Sequence, residues 1–223
     1  MLASLILAAD FVWQEASRSR RETHQEQVRV LLDAAKGDHL EALYVLAVTT
    51  GLRQGELLGL KWDDIDLQVG TLQVRRTLTT AKGGPVLSAP KTKGSRRTVR
   101  LSQTALEALR SHPGASIGGD RPGRQSVARE RPHIRVGSRG AAGPPLHYHA
   151  PLQALLKRTG LPQIRFHDLR HTCATLLLAQ NVNPKVVPEM LGHATLAITL
   201  DTYSHVLPNM QDSAARALEE ALR

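Results

Sequence analysis

Four side chains suited to phosphoryl chemistry fall within 37 residues: His167, Arg170, His193 and Tyr203. His167 and Arg170 are three apart, so on a helix they share one face. A guanidinium is a planar fork of donors that fits phosphate oxygens. An imidazole gives or takes a proton near neutral pH. Leu191-Gly192-His193 reads as a helix end, a glycine turn and a second histidine. Tyr203 lies among Asp201, Thr202 and Ser204, and a phenol beside cationic groups can be activated as a nucleophile. Together these are the parts for attack on a phosphodiester. Each alone has a plainer reading: His167 as a capping histidine, Arg170 as an ion-pair partner of Asp168, His193 as a charge on a helix end, Tyr203 as a half-buried tyrosine.

The order and spacing of three strings decide between these readings. They are His167-Asp168-Leu169-Arg170-His171-Thr172, then Leu191-Gly192-His193, then Ile198-Thr199-Leu200-Asp201-Thr202-Tyr203-Ser204-His205-Val206. The set resembles the C-terminal catalytic motif of the tyrosine recombinases, the phage-integrase family. Upstream, Arg53 taken by itself is a charge on a turn with Glu56 three residues on, an unremarkable salt bridge. The string Thr50-Gly51-Leu52-Arg53-Gln54-Gly55-Glu56 is similar to the family's first arginine motif, which makes Arg53 the partner of Arg170. Lysines at the tip of a hairpin usually only solubilise it. Pro90-Lys91-Thr92-Lys93, followed by Ser95-Arg96-Arg97-Thr98, looks like the hairpin that carries a catalytic lysine in this family, with Lys91 the first choice and Lys93 the reserve.

The resemblance implies site-specific DNA recombination or integration by transesterification. Tyr203 would be the nucleophile, giving a 3′-phosphotyrosyl intermediate. Arg53, Arg170 and His193 would hold the phosphate; His167 and Lys91 would move protons. It further implies no metal, no cofactor, no small-molecule substrate, double-stranded DNA as partner and a homo-tetramer on DNA. A type IB topoisomerase-like activity shares the chemistry, but the wording around Tyr203 is integrase-like.

The elements that must position these residues are mostly helical. The implied fold is mainly α with a small antiparallel β-sheet, an α+β arrangement like a tyrosine-recombinase catalytic domain. Val28, Leu31, Leu32 and Ala35 form one helical stripe, and His39 to Thr50 is a second, more apolar helix. Thr71 to Thr79 alternates as one strand, Gly83-Gly84-Pro85 turns the chain, and Arg96 to Leu101 reads as another strand. Ser102 is an N-cap. Helices are expected over Ala150 to Thr159, His167 to Gln180, Pro184 to Leu191 and Thr195 to Leu200, with Leu169, Leu176 and Leu177 packed inward. Pro188 falls inside the Pro184 helix, where it removes a donor and threatens the placement of His193.

Charge and composition fit a nucleic-acid partner. Lys plus Arg number 29 against 20 Asp plus Glu, a formal +9, which favours an anionic polymer. Aromatics are only 3%, which argues against base-stacking platforms for single strands and for duplex DNA held by its phosphates. The single cysteine, Cys173, excludes an intramolecular disulfide and reads as a small core residue. With no basic leader and no apolar run long enough to span a bilayer, a cytoplasmic protein is expected, not a membrane one.

The expected organisation is an N-terminal segment over 1–24, a catalytic domain over 25–215 and a C-terminal amphipathic helix over 208–223. The domain is interrupted at 111–147. Residues 111–145 hold 7 Gly, 5 Pro and 6 Arg with no apolar period, so that segment is expected to be disordered. Family members carry a further N-terminal domain that clamps DNA, and two dozen residues are too few for one. The runner-up expectation is therefore a truncated integrase remnant that only binds DNA weakly.

Overall fold

The computed structural model describes residues 19–81, 84–90, 96–112, 149–180, 182–193 and 218–222. Of the expected disordered segment over 111–147 only Ser111, the last residue of a helix, and His112 are described; the rest of it, the helix over Thr195 to Leu200 and most of the tail lie outside these. The architecture matches the sequence expectation: helices surround a small amount of antiparallel sheet. In chain order the helices are α1 (Ser19–Ala35), α2 (Glu41–Thr50), α3 (Gln54–Leu58), α4 (Gln103–Ser111), α5 (His149–Arg158), α6 (Asp168–Ala179) and α7 (Val186–Leu191). Among the described residues no helix is long and apolar enough to cross a membrane.

The core is built around α2. Its sequence, Glu-Ala-Leu-Tyr-Val-Leu-Ala-Val-Thr-Thr, is apolar on every side, and Leu43, Tyr44 and Leu46 are fully buried. A helix apolar all round must be enclosed, and α2 is packed by α1, α3, α4 and α6. Each fully buried leucine contributes about 2 kcal/mol. The stripe read on α1 is borne out, with Leu31 and Ala35 buried. Ser102 accepts from the backbone N–H of Ala105 at 3.2 Å, as an N-cap does. Phe166 is buried beneath the turn that precedes α6.

The sheet departs from the simple reading. Thr71 to Thr79 is not one strand: β2 (Thr71–Val74) and β3 (Thr77–Ala81) are separated at Arg75-Arg76 and belong to different sheets. β1 (Ile65–Asp66), β2 and β5 (Arg97–Arg100) form a three-stranded antiparallel sheet in the order β1-β2-β5, while β3 pairs only with β4 (Gly84–Ser88). Gly84 and Pro85, read as a turn, lie inside β4 opposite Ala81 and Thr80. At the break Arg76 reaches the buried carboxylate of Asp64 with a 2.8 Å bond.

Two further differences concern the helices around the candidate site. In α6, Leu169 and Leu178 are fully buried, while Leu176 and Leu177 are half-buried. α7 begins at Val186, two residues after Pro184, so Pro188 is its third residue. The first-turn N–H groups of a helix have no intrahelical acceptor, so the missing donor at Pro188 costs no hydrogen bond. Its carbonyl accepts from His193 N at 2.9 Å and closes the turn. The expected damage to His193 is therefore absent. A small cluster, Ala174, Leu178, Val187 and Leu191, fastens α7 to α6.

Gly51 ends α2 in a left-handed conformation, φ 59°. A Cβ there would overlap Leu191 Cδ2 and lie 3.2 Å from Cys173 Sγ. Gly37 has φ 76° with open space around it. Gly37→Ala should therefore cost about 1 kcal/mol from backbone strain alone, and Gly51→Ala about 3 kcal/mol once overpacking is added. Urea unfolding of the two variants measures the difference.

Candidate active site

The last turn of α7 is the meeting point of the candidate residues. A helix C-terminus leaves its final carbonyls without intrahelical donors. Here three consecutive carbonyls accept from three different arginines. Arg97 Nε donates to Met190 O at 2.7 Å. Arg170 Nη1 donates to Leu191 O at 2.8 Å and also to Gly51 O at 2.6 Å. Arg53 Nη2 donates to Gly192 O at 2.7 Å. Cations at a helix C-terminus also sit favourably in the helix dipole. Gly192, at φ 70°, reverses the chain and delivers His193 beside the three guanidiniums.

Each arginine is placed by a local feature of the sequence. Arg53 stands at the N-terminus of α3, immediately after the Gly51 turn, and its backbone N–H is held by Glu56 Oε2 at 2.8 Å. Gly55 lets α3 lie on β3, since a Cβ there would fall 2.5 Å from Leu78 O and 2.6 Å from Thr77 Oγ1. Arg170 lies in the first turn of α6 and is buried, 5% exposed. The plain ion pair between Arg170 and Asp168 does not form; Asp168 is held by Arg165 at 3.0 Å. Arg97 occupies the same face of β5 as buried Val99, opposite Val74.

Glu56 joins two of these arginines. Its carboxylate is buried, 3% exposed, and accepts from Arg53 Nη1 at 3.0 Å, Arg97 Nη1 at 3.1 Å and Arg97 Nη2 at 2.9 Å. Burial pushes its pKa up, but the bonds and charge of Arg97, then those of Arg53, outweigh this and hold it below the ordinary carboxylate value. The salt bridge between Arg53 and Glu56 read in the sequence is present; that Glu56 also carries Arg97 is new.

The histidines sit in a positive field. Burial, then the charges of Arg170 and Arg53, lower the His193 pKa to about 4, so its imidazole is neutral at pH 7. It is not the helix-end cation of the plain reading. His167 precedes α6, makes no side-chain cap bond and is exposed. Its pKa is lowered by partial burial and then by Arg170, which leaves it a neutral base. His171 packs edge-on against His167, ring centroids 5.0 Å apart, and its pKa is lowered chiefly by burial. Cys173 is buried and its thiol is pushed up to about 12, as a core residue.

The structure thus brings together Arg53, Arg170 and His193, with His167 within reach of the same charges. Lys91, Lys93 and Tyr203 lie outside the described residues. Among the described residues no group of three or more His, Cys, Asp or Glu side chains could hold a metal ion. Sequence reasoning missed Arg97. The signal was there: on alternating strand faces it shares the inward side with Val99, and a charge at a core-facing position needs a buried partner.

Comparison with known proteins gives a consistent picture. The pattern of the phage integrase family matches residues 21–210. A tyrosine recombinase XerC-like protein of Caldanaerobacter subterraneus subsp. tengcongensis is 34% identical over 206 residues, covering 87% of this chain and 53% of the relative. The ICEBs1 integrase of Bacillus subtilis (strain 168) is 30% identical over 193 residues, covering 82% of this chain and 49% of its own length. The chain spans about half the length of these relatives. Among solved structures, XerA recombinase superposes with a TM-score of 0.63 at 26% identity, over 89% of this chain and 62% of that one. The Tn1549 transposon integrase, solved in complex with circular intermediate DNA, shares the fold with a TM-score of 0.67 at 23% identity, over 94% of this chain and 67% of that one.

Glu56→Gln should destabilise the protein by about 3 kcal/mol at neutral pH, because it removes one side of a buried ion pair and leaves Arg97 buried. A carboxylate whose folded pKa is depressed adds stability above its unfolded pKa, and that stability is lost as pH falls through the folded value. The wild type should therefore lose this contribution below about pH 4.5, the ordinary glutamate value. The variant should show a shallower acid limb, measured by denaturant midpoints between pH 3 and 7.

Proposed function

The chain belongs to the phage integrase family, and from that membership we propose that it cleaves and rejoins duplex DNA through a covalent phosphotyrosyl link. The observation that carries the reading is the convergence of Arg53 and Arg170, 117 positions apart in sequence, on successive carbonyls beside His193. Two guanidiniums and an imidazole at one point suit a phosphate that gains negative charge in a pentacoordinate transition state.

The roles follow from the chemistry of each group. Tyr203 Oη attacks phosphorus, and the bond from phosphorus to the 5′-oxygen breaks. His167, neutral at pH 7, accepts the phenolic proton as general base. Lys91, with Lys93 in reserve, gives a proton to the departing 5′-oxygen. Arg53 and Arg170 hold the non-bridging oxygens, and neutral His193 donates one N–H to them. A 5′-hydroxyl then attacks the 3′-phosphotyrosyl bond and restores both the phosphodiester and the phenol. One ester is exchanged for another, so no external energy source enters the balance. The net charge of +9 supports duplex DNA as the partner, bound largely through phosphates. The same reading carries a homo-tetramer on two duplexes as the working assembly, the cytoplasm as the compartment, and integration of a mobile element as the outcome.

The test is covalent capture on a nicked duplex carrying the recombination site, from which the cleaved strand diffuses away. The wild type should form a protein–DNA adduct stable to denaturant. Tyr203→Phe should form none, while its affinity for the same DNA stays within about threefold, since phosphate contacts dominate binding. An adduct formed by the variant would remove Tyr203 as nucleophile. Salt-sensitive binding by the wild type with no adduct would overturn the enzymatic reading.

A further inference from the structure

We propose that Arg97 is a positioning residue for strand cleavage, setting the placement of His193 and Arg53 by gripping the end of α7 and Glu56 at once. The inference rests on the cleavage reading above. Among the described residues Arg97 bonds two elements: Nε to Met190 O at 2.7 Å, and Nη1 and Nη2 to the two oxygens of Glu56 at 3.1 and 2.9 Å. Its side chain is 8% exposed, so it acts from beneath the site. Arg53, at 41%, faces outward.

These bonds form a closed ring. Arg97 holds Glu56; Glu56 holds the side chain and backbone of Arg53; Arg53 holds Gly192 O; and the backbone from Gly192 to Met190 returns to Arg97. His193 is the next residue after the ring's turn. The turn passes directly over the guanidinium, since a Cβ on Gly192 would lie 2.7 Å from Arg97 Nη1 and 2.9 Å from its Cζ. Gly192 is thus required twice, by its left-handed φ of 70° and by the arginine against it. β5 packs against α7, and the planar fork of Arg97 ties that contact to Glu56 on α3. Lysine keeps the charge but offers one ammonium in place of the fork, and it cannot span a carbonyl on one edge and a carboxylate on the other. Displacement of a catalytic group by about 1 Å costs on the order of a hundredfold in rate.

The test uses the full chain with Arg97→Lys and Arg97→Gln. Adduct formation on the nicked duplex is followed in a single turnover at saturating DNA. DNA affinity and thermal melting are measured alongside, and the His193 imidazole is titrated by NMR with surface His39 as the reference. For Arg97→Lys the expected result is cooperative melting, affinity within about threefold of wild type and adduct formation slower by about a hundredfold. The His193 titration should be displaced from its wild-type position. A wild-type cleavage rate in Arg97→Lys, or a rate loss that saturating DNA restores, overturns the proposal. Unfolding of both variants does so as well, by assigning Arg97 to stability alone. If the wild type itself forms no adduct, the cleavage reading fails, and an unchanged His193 titration in Arg97→Lys still overturns the positioning role.

Discussion

Three successive carbonyls at the C-terminal end of a six-residue helix accept hydrogen bonds from three arginines, and the site is built on those bonds. The helix α7 is too short to hold itself in place by propensity. It is fixed on one side by the apolar contacts of Val187 and Leu191 with α6 and on the other by Arg97, Arg170 and Arg53. The donors come from a strand, from the first turn of a helix and from the N-terminus of another. Hydrogen bonds from charged donors are about twice as strong as neutral ones, so this end of the molecule is held by electrostatics more than by packing. The same arginines that complete the helix end are the ones proposed to receive the phosphate, so structure and chemistry share one set of charges.

Charge balance explains the remaining features. Three guanidiniums close together would repel one another, and Glu56 is the buried counter-charge that contacts two of them. Arg170 donates to the carbonyls of Gly51 and Leu191. Burial, and then the positive field of the arginines, suppress protonation of His193 and His167. That suits groups that must donate a hydrogen bond or accept a proton at neutral pH. A reacting phosphate would be a natural counter-ion for this field.

Much of this was legible in the chain. Apolar periodicity placed α2, α4 and α6, and Ser102 and Gly51 marked boundaries where side-chain capping and left-handed backbone demand those types. The motif order brought Arg53, Arg170 and His193 together correctly. What could not be read was set by long-range polar contacts. The strand from Thr71 ends at Val74, and beside the break Arg76 pairs with buried Asp64, a partner that alternation alone does not reveal. Pro188 looked harmful because the start of α7 was placed two residues early. Arg97 escaped notice because the hairpin lysines beside it drew the chemical reading, while its partners stand 41 and 93 positions away.

The arginines recognise α7 through main-chain oxygens, and this bears on how the site can evolve. Every residue type has a carbonyl, so drift at Met190 leaves its acceptor intact, and half-buried Met190 can be exchanged within the limits of helix formation. Gly192 has no such latitude, since its missing side chain is the space that Arg97 fills. The corner therefore tolerates substitution at Met190, where only the main chain is read, far better than at Gly192, where the side chain's absence is what is used.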